Sequence, residues 1–139
     1  MYSFFNKLLK LPKTEVTGYK ILNNKIYLNV KSTFDEIPCR KCGEKTKSKG
    51  YAEEREIRHL PMNEQECYLV IKAKRGICEK CDDTPTTNQR LEWYEYKSRY
   101  TKDYLQHLML SLVNSTLEDV AIKQNISSDT IGRILTQEV

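Results

Sequence analysis

The first hydrophobic pattern along the chain has the spacing of a helix. Within residues 3–11 the apolar side chains fall mostly on one helical face, and Pro12 follows as a helix-ending residue. These side chains are Phe4, Phe5, Leu8, Leu9 and Leu11. The pattern predicts a short helix that covers the edge of a core, a role favoured over binding to a membrane surface.

The pattern then changes to the alternation of β-strands. Apolar and polar residues alternate from Val16 to Val30, and Asn23-Asn24-Lys25 interrupts the alternation. Asparagine tolerates the positive φ that tight turns require, so this segment predicts a β-hairpin.

A second hairpin is predicted further along the chain. Its strands are Glu56–Leu60 and Glu66–Arg75, with Pro61-Met62-Asn63 as the turn. Residues 82–88 contain Asp, Thr, Pro and Asn but no apolar run, and they are predicted to form a loop.

Helical spacing returns from Thr101, which is the predicted N-cap of a helix. Its apolar positions form a one-sided stripe. They are Leu105, Leu108, Met109, Leu112 and Val113.

Residues 117–136 predict two further helices joined by a turn. Ala121 is small enough for a close helix crossing, and Asn125 falls where the turn needs a left-handed backbone. Ser127 or Ser128 is the predicted N-cap of the second helix. The apolar side of that helix consists of Ile126, Ile131 and Ile134. This is a helix-turn-helix pattern, although helical hairpins that do not contact DNA show it too.

Four of the five cysteines form two CxxC units, Cys39–Cys42 and Cys78–Cys81. Two such turns converge on one ion and complete a tetrahedral thiolate set, with Zn–S distances of about 2.3 Å. The 35 residues between the units exceed the usual roughly 15–20, and the second hairpin fills this gap. The sequence therefore predicts a structural Zn²⁺ in a zinc ribbon, with Cys39, Cys42, Cys78 and Cys81 as ligands.

Other roles for these cysteines fit the sequence less well. A redox CxxC needs a βαβ context, and two disulfides need an oxidising compartment. Because four thiolates leave no open position, a catalytic zinc is not expected. Cys67 lies in an alternating strand and is predicted to be a small buried hydrophobe. His59 is predicted to be a packed or surface histidine and not a ligand.

Composition and charge narrow the function classes. The chain has 139 residues, 39% of them hydrophobic, which is too few for a large enzyme scaffold with a deep substrate pocket. There is no secretory signal and no bilayer-spanning run, so a cytoplasmic protein without a membrane partner or small-molecule substrate is expected. Net charge is +4 for residues 1–35, +3 for 36–81 and −3 for 82–139. The net positive charge of residues 1–81 suits a polyanionic partner, although an ordinary solvated surface can have the same excess of positive charge.

A DNA-binding role would use the second helix of the C-terminal pair, entering the major groove with its N-terminal residues near base edges. Its outward positions are Ser127, Ser128, Asp129, Arg133 and Thr136. Arg133 suits guanine or phosphate, and Asp129 suits a cytosine amine. Because residues 82–139 are acidic overall, phosphate contacts are assigned to lysines beside the first CxxC unit. These are Lys41, Lys45 and Lys47.

An aromatic segment precedes the helices and has two interpretations. Its aromatic residues are Trp93, Tyr94, Tyr96, Tyr100 and Tyr104. With Lys97 and Arg99 they would suit stacking on nucleic acid. The favoured alternative is that they pack the zinc module against the helices.

The order of these features resembles the N-terminal region of ISL-three-type insertion-sequence transposases. The most specific features are Cys-x-x-Cys-Gly at 39–43, the strand with Arg58-His59-Leu60-Pro61, and the strand that ends in Arg75-Gly76-Ile77-Cys78. The resemblance implies a part that binds double-stranded DNA at terminal inverted repeats, in the bacterial cytoplasm on the nucleoid. In that family a larger DDE-type nuclease domain follows.

The expectation is an α+β protein, a small β-hairpin zinc ribbon followed by a helical helix-turn-helix module. Its expected parts are 1–35 (helix and hairpin), 36–90 (zinc ribbon) and 91–139 (helix-turn-helix). It is expected to be a transposase fragment that lacks the catalytic domain and is no enzyme, with a homodimer as an open question. Two alternatives remain: a stand-alone transcriptional regulator, and a zinc-ribbon module that binds protein.

Overall fold

The computed structural model describes residues 2–138 and has the predicted α+β fold. In chain order the elements are α1 (Ser3–Leu9), β1 (Thr14–Leu22), β2 (Lys25–Ser32), β3 (Lys47–Met62), β4 (Gln65–Ile77), β5 (Thr86–Asn88), α2 (Lys102–Ser111), α3 (Leu117–Gln124) and α4 (Ser128–Glu138). They form two compact units, the first reaching Thr101 and the second beginning at Lys102. The sequence boundary near residue 90 falls within the first unit.

The first hairpin forms as predicted, between β1 and β2. Asn23 and Asn24 have φ of 50° and 62°, and Leu22 pairs with Lys25 across the turn. Positive φ at both central residues is the geometry of a two-residue turn whose twist matches the strands. Lys25 therefore belongs to β2 and not to the turn.

The second hairpin also forms, but its predicted turn was wrong. The turn residues are Asn63 and Glu64, with φ of 51° and 64°, and Met62 pairs with Gln65. Such a turn needs positive φ at both positions, and the ring of Pro61 holds its φ near −65°. Pro61 and Met62 consequently lie within β3.

The two hairpins join into one sheet with the order β1-β2-β4-β3. The inner strands β2 and β4 run parallel, with Leu28 opposite Leu69. The short strand β5 pairs antiparallel with the end of β4, where Ile77 lies opposite Thr86. Residues 86–88 are thus a strand and not part of a loop, because the end of β4 offers them ladder hydrogen bonds.

The core of the first unit lies on the sheet under α1 and the segment after β5. Leu28, Ile57 and Leu69 are fully buried there, and Trp93 and Tyr94 pack into the same cluster. Both aromatic residues are therefore core residues of the sheet.

Helix α1 forms as predicted but buries only part of its apolar face. Phe5 and Leu9 pack on the core, whereas Phe4 and Leu8 are 70% and 55% exposed. A helix of seven residues that lies on a sheet edge covers it with one narrow stripe, so the flanking apolar positions stay in solvent.

The second unit has its own small core, built from Tyr104, Leu108, Val120 and Ile131. Leu108, in the predicted apolar stripe of α2, is buried as predicted. The stripe fails at Val113, which is 64% exposed because α2 ends at Ser111. Along residues 2–138, no helix combines the length and apolar character needed to cross a bilayer.

Two caps between α3 and α4 form as predicted, at Asn125 and Ser127, and a further cap at Thr116 was not predicted. Thr116 caps α3 by accepting a hydrogen bond from the Asp119 N–H at 3.0 Å. Asn125 ends α3 in the left-handed conformation, with φ 53°. Ser127 caps α4, because its Oγ accepts the Thr130 N–H at 3.1 Å.

Candidate metal centre and nucleic-acid surfaces

The β3–β4 hairpin brings the two CxxC units to one end of the sheet. β3 begins shortly after Cys42, and β4 ends immediately before Cys78. Because the strands are antiparallel and Lys47 lies opposite Ile77, two units separated by 35 residues become neighbours. The long spacing between the units is therefore the length of the hairpin.

Local hydrogen bonds shape each CxxC turn. In the first, the Gly43 N–H donates to the Cys39 carbonyl at 2.9 Å, and Gly43 has φ 75°. Glycine adopts this left-handed backbone without the strain that most side chains would cause. In the second, the Cys78 N–H donates to the Pro85 carbonyl at 3.0 Å, and the Thr84 N–H donates to the Cys81 carbonyl at 3.1 Å.

A second glycine lets β4 pass close to the first CxxC turn. A Cβ on Gly76 would lie 1.9 Å from Thr46 Oγ1. That hydroxyl donates to the Ile37 carbonyl at 2.6 Å, so it cannot move away without breaking this hydrogen bond. A larger residue at position 76 would clash with Thr46 unless β4 or the segment around Thr46 shifted.

The four sulfurs are spaced as a tetrahedral zinc site requires. Cys39 Sγ lies 4.0 Å from Cys81 Sγ, and Cys42 Sγ lies 3.6 Å from Cys78 Sγ. All four lie within 4.8 Å of one another. A tetrahedron with Zn–S of about 2.3 Å has S···S separations of roughly 3.8 Å. The predicted ligand set therefore fits structural zinc.

The thiol pKa values differ between the cysteines of the cluster. The backbone N–H groups of Cys42 and Lys41 lower the pKa of Cys39 to about 6. Hydrogen bonds to the Cys42 and Cys78 sulfurs raise the pKa of Cys81 to about 12. Four thiolates this close together repel one another, and a bound metal ion would offset that repulsion.

The other two candidate ligands lie elsewhere, as predicted. Cys67 is fully buried in the sheet core, and burial raises the pKa of its thiol to about 12. His59 is buried too, and its Nδ1 lies 2.8 Å from Thr101 Oγ1. Both are packing residues.

The lysines assigned to phosphate contacts lie around the metal centre, and two of them are paired. Lys41 forms an ion pair with Asp83, and Lys47 Nζ lies 3.1 Å from Glu79 Oε2. Lys45 is exposed, and no carboxylate within the described chain pairs with it. Surface pairs of this kind are weak, but each reduces the charge offered to a phosphate.

Four of the five predicted DNA-reading residues lie together on α4. Ser128, Asp129, Arg133 and Thr136 line an open depression of about 880 Å³, whose other wall is the start of α3. Ser127 is the helix cap and does not line it. Asp129, Arg133 and Thr136 are exposed. Arg133 Nη2 lies 3.4 Å from Thr130 Oγ1, so its guanidinium is only loosely held.

The first unit contains a second depression, of about 1040 Å³, that sequence reasoning missed. We call it the basic groove. Its basic lining residues are Arg40, Arg55, Arg75, Arg90, Lys97 and Arg99. They come from the first CxxC turn, β3, β4 and the segment after β5, so no local pattern marks them as a group. Only Lys97 and Arg99, beside the aromatic segment, gave a signal.

Comparison with known proteins identifies the part of the chain that holds the metal centre. Residues 35–81 match the family model described as the zinc-finger of transposase IS204/IS1001/IS1096/IS1165. No curated protein and no solved structure matches the chain. The matched range begins just before the first CxxC turn and ends at Cys81, so it contains all four metal ligands. Residues 35–81 are therefore similar to the zinc finger of these transposases.

Proposed function

We propose that this chain binds double-stranded DNA and recognises the terminal inverted repeats of an insertion sequence. The observation that carries the proposal is the outward face of α4, where Asp129, Arg133 and Thr136 are exposed beside the Asn125 turn. A helix presented in this way suits the major groove. Because residues 35–81 are similar to a transposase zinc finger, the proposed target is the DNA at the ends of an insertion sequence. In a cell, such binding would place the chain on the bacterial nucleoid.

The glycine of α4 supports a close approach of DNA to this face. Gly132 lies between Asp129 and Arg133, and a Cβ there would meet nothing within 4 Å. A glycine inside a helix costs about 1 kcal/mol relative to alanine, and packing within the chain does not require it. The open space beside Gly132 would let a wall of the major groove or a phosphate group approach α4 closely.

The two units differ in net charge, and this difference suits different contacts with DNA. From Lys102 onward the chain has three basic and five acidic residues, whereas up to Thr101 it has twenty basic and fourteen acidic residues. An acidic unit attracts the DNA backbone poorly. The proposal therefore assigns base contacts to α4, chiefly Ser128, Asp129 and Arg133, and sequence-independent contacts to the first unit, including Lys41, Lys45 and Lys47.

The central test is the substitution Arg133→Ala. If Arg133 contacts a base, its removal should weaken binding to the inverted repeat by about 1–3 kcal/mol and binding to a scrambled duplex much less. Lys123→Ala is the matched control, because it removes one positive charge from α3 in the same unit. Gel-shift titrations of both variants against both duplexes, at two salt concentrations, measure the difference.

Two results would contradict the proposal. One is an equal decrease in affinity on both duplexes for Arg133→Ala and Lys123→Ala, which would make Arg133 a general charge. The other is a wild-type chain that binds no duplex better than micromolar at low salt.

A protein-binding role is the second candidate, because the second unit exposes several apolar side chains. These are Leu110, Val113, Leu117 and Ile122. Exposed apolar side chains that lie together in one patch are typical of protein contacts. Retained zinc without any DNA binding would favour this role. A transcriptional regulator would use the same DNA contacts, and inverted repeats beside the gene would distinguish a transposase from it.

A further inference from the structure

The basic groove of the first unit concentrates positive charge that is not taken up by ion pairs. Six basic side chains line it, and Glu53 is its one acidic lining residue. Throughout residues 2–138, none of the six forms an ion pair with a carboxylate. Two of the three lysines beside the metal centre differ, since Lys41 and Lys47 are paired.

Neutral oxygens hold three of the guanidinium groups in place. Arg40 Nε donates to the Thr86 carbonyl at 3.2 Å, and Arg75 Nη2 donates to Thr86 Oγ1 at 3.0 Å. Arg55 Nη2 donates to the Ser98 carbonyl at 2.6 Å. A neutral acceptor orients a guanidinium without cancelling its charge. The groove is therefore arranged in advance for an anion, which lowers the entropy cost of binding one.

The aromatic side chain of the groove favours a duplex over a single strand. The Arg90 guanidinium lies 4.9 Å and the Lys97 ammonium 5.5 Å from the centre of the Tyr96 ring. Single-stranded nucleic acid binds by stacking bases on open aromatic rings. Because cations already lie against Tyr96, the groove offers charge rather than a stacking surface. A duplex, with its bases stacked internally, needs only that charge.

We propose that the basic groove binds the phosphodiester backbone of duplex DNA, and that it supplies more of the salt-dependent affinity than exposed lysines outside the groove do. The proposal deepens the DNA-binding function above and rests on it. Arginine forks bind phosphate oxygens in pairs, which makes five arginines and one lysine a suitable set. The interaction would be independent of base sequence.

The test compares two double variants that each remove two positive charges. Arg90→Ala with Arg99→Ala removes exposed groove residues, and Lys7→Ala with Lys72→Ala removes exposed lysines outside it. Fluorescence anisotropy with a labelled mixed-sequence duplex, over a range of NaCl concentrations, gives the affinity and its salt dependence. Zinc content and thermal melting confirm that each variant is folded. If the groove variant loses zinc, the single exposed substitution Lys97→Glu replaces it.

The groove variant should bind at least tenfold more weakly at low salt. The slope of log affinity against log salt should fall by about 0.9 for each phosphate that the variant no longer neutralises, hence by roughly two for the pair. The control variant should stay within about threefold of wild type, with little change in slope. Charge contributed by the whole surface would instead weaken both variants alike.

Three results would overturn the groove proposal. Equal affinities for the two double variants would do so while leaving the function of α4 intact, since Arg133→Ala is measured separately on the inverted repeat. Tighter binding of single-stranded DNA than of the duplex, abolished in Tyr96→Ala, would identify a stacking site. A wild-type chain that binds neither the mixed duplex nor the inverted repeat would remove the proposed function as well.

Discussion

Cys39 contributes one of four sulfurs that meet at one point of the fold, so its substitution tests the metal centre most directly. Cys39→Ser should lose the zinc and most of the cooperative unfolding of the first unit. Zinc binding contributes on the order of 10 kcal/mol in small zinc domains, far more than the sheet core alone can replace. Native mass spectrometry gives the metal content, and circular dichroism during heating gives the unfolding transition.

The matched control at the residue scale is Cys67→Ala. It removes a thiol that is fully buried but lies outside the cluster. One zinc per chain should remain, with a decrease in stability on the order of 1 kcal/mol. A well-folded Cys39→Ser chain without zinc, or a Cys67→Ala chain that loses the metal, would show that the ligand set is wrong.

At the scale of elements, the turn between α3 and α4 depends on the backbone of Asn125. Its φ of 53° is left-handed, and its N–H closes the end of α3 on the Ala121 and Ile122 carbonyls. Asn125→Ala should lower the free energy of unfolding by about 1 kcal/mol, because alanine adopts this conformation less readily. Urea unfolding of the two proteins measures the difference.

Asn125→Gly separates backbone conformation from side-chain effects at the same position. Glycine adopts positive φ readily, so this variant should match or exceed the stability of the native turn. Equal decreases in stability for the alanine and glycine variants would mean that the Asn125 side chain, and not its backbone, is what the turn requires.

At the scale of the whole molecule, the proposed function leads to an expectation about DNA cleavage. Within residues 2–138, the four cysteines are the one group of His, Cys, Asp or Glu side chains close enough to hold a metal ion. Asp83 forms an ion pair with Lys41, which lowers the pKa of the Asp83 carboxyl group. The same ion pair leaves this carboxylate less available to a metal ion. We therefore expect this chain to leave supercoiled plasmid uncut with Mg²⁺ or Mn²⁺, as followed on agarose gels.

The matching control is Asp82→Ala, assayed beside the wild-type chain. Nicking that requires a divalent metal and disappears in Asp82→Ala would show that the adjacent carboxylates form a two-metal site after all. Nicking that survives the substitution would indicate a contaminating nuclease.

The confirmed predictions concern residues that are close together in sequence. The two CxxC turns, the Asn23-Asn24 turn and the left-handed Asn125 each depend on a few neighbouring side chains and their allowed φ. One error arose where a local pattern competed with a distant partner. Residues 86–88 have the composition of a loop, yet β4 binds them as a strand.

By itself, the sequence determined the zinc ligands, the α+β class and the turns at Asn23-Asn24 and Asn125, because these follow from spacing and backbone preference. Only the tertiary structure decided that β2 runs parallel to β4, and that arginines from separate segments line one groove. Strand register and charge clustering are set by interactions between residues far apart in the chain. No pattern along the sequence records those interactions, since each segment alone is compatible with many partners.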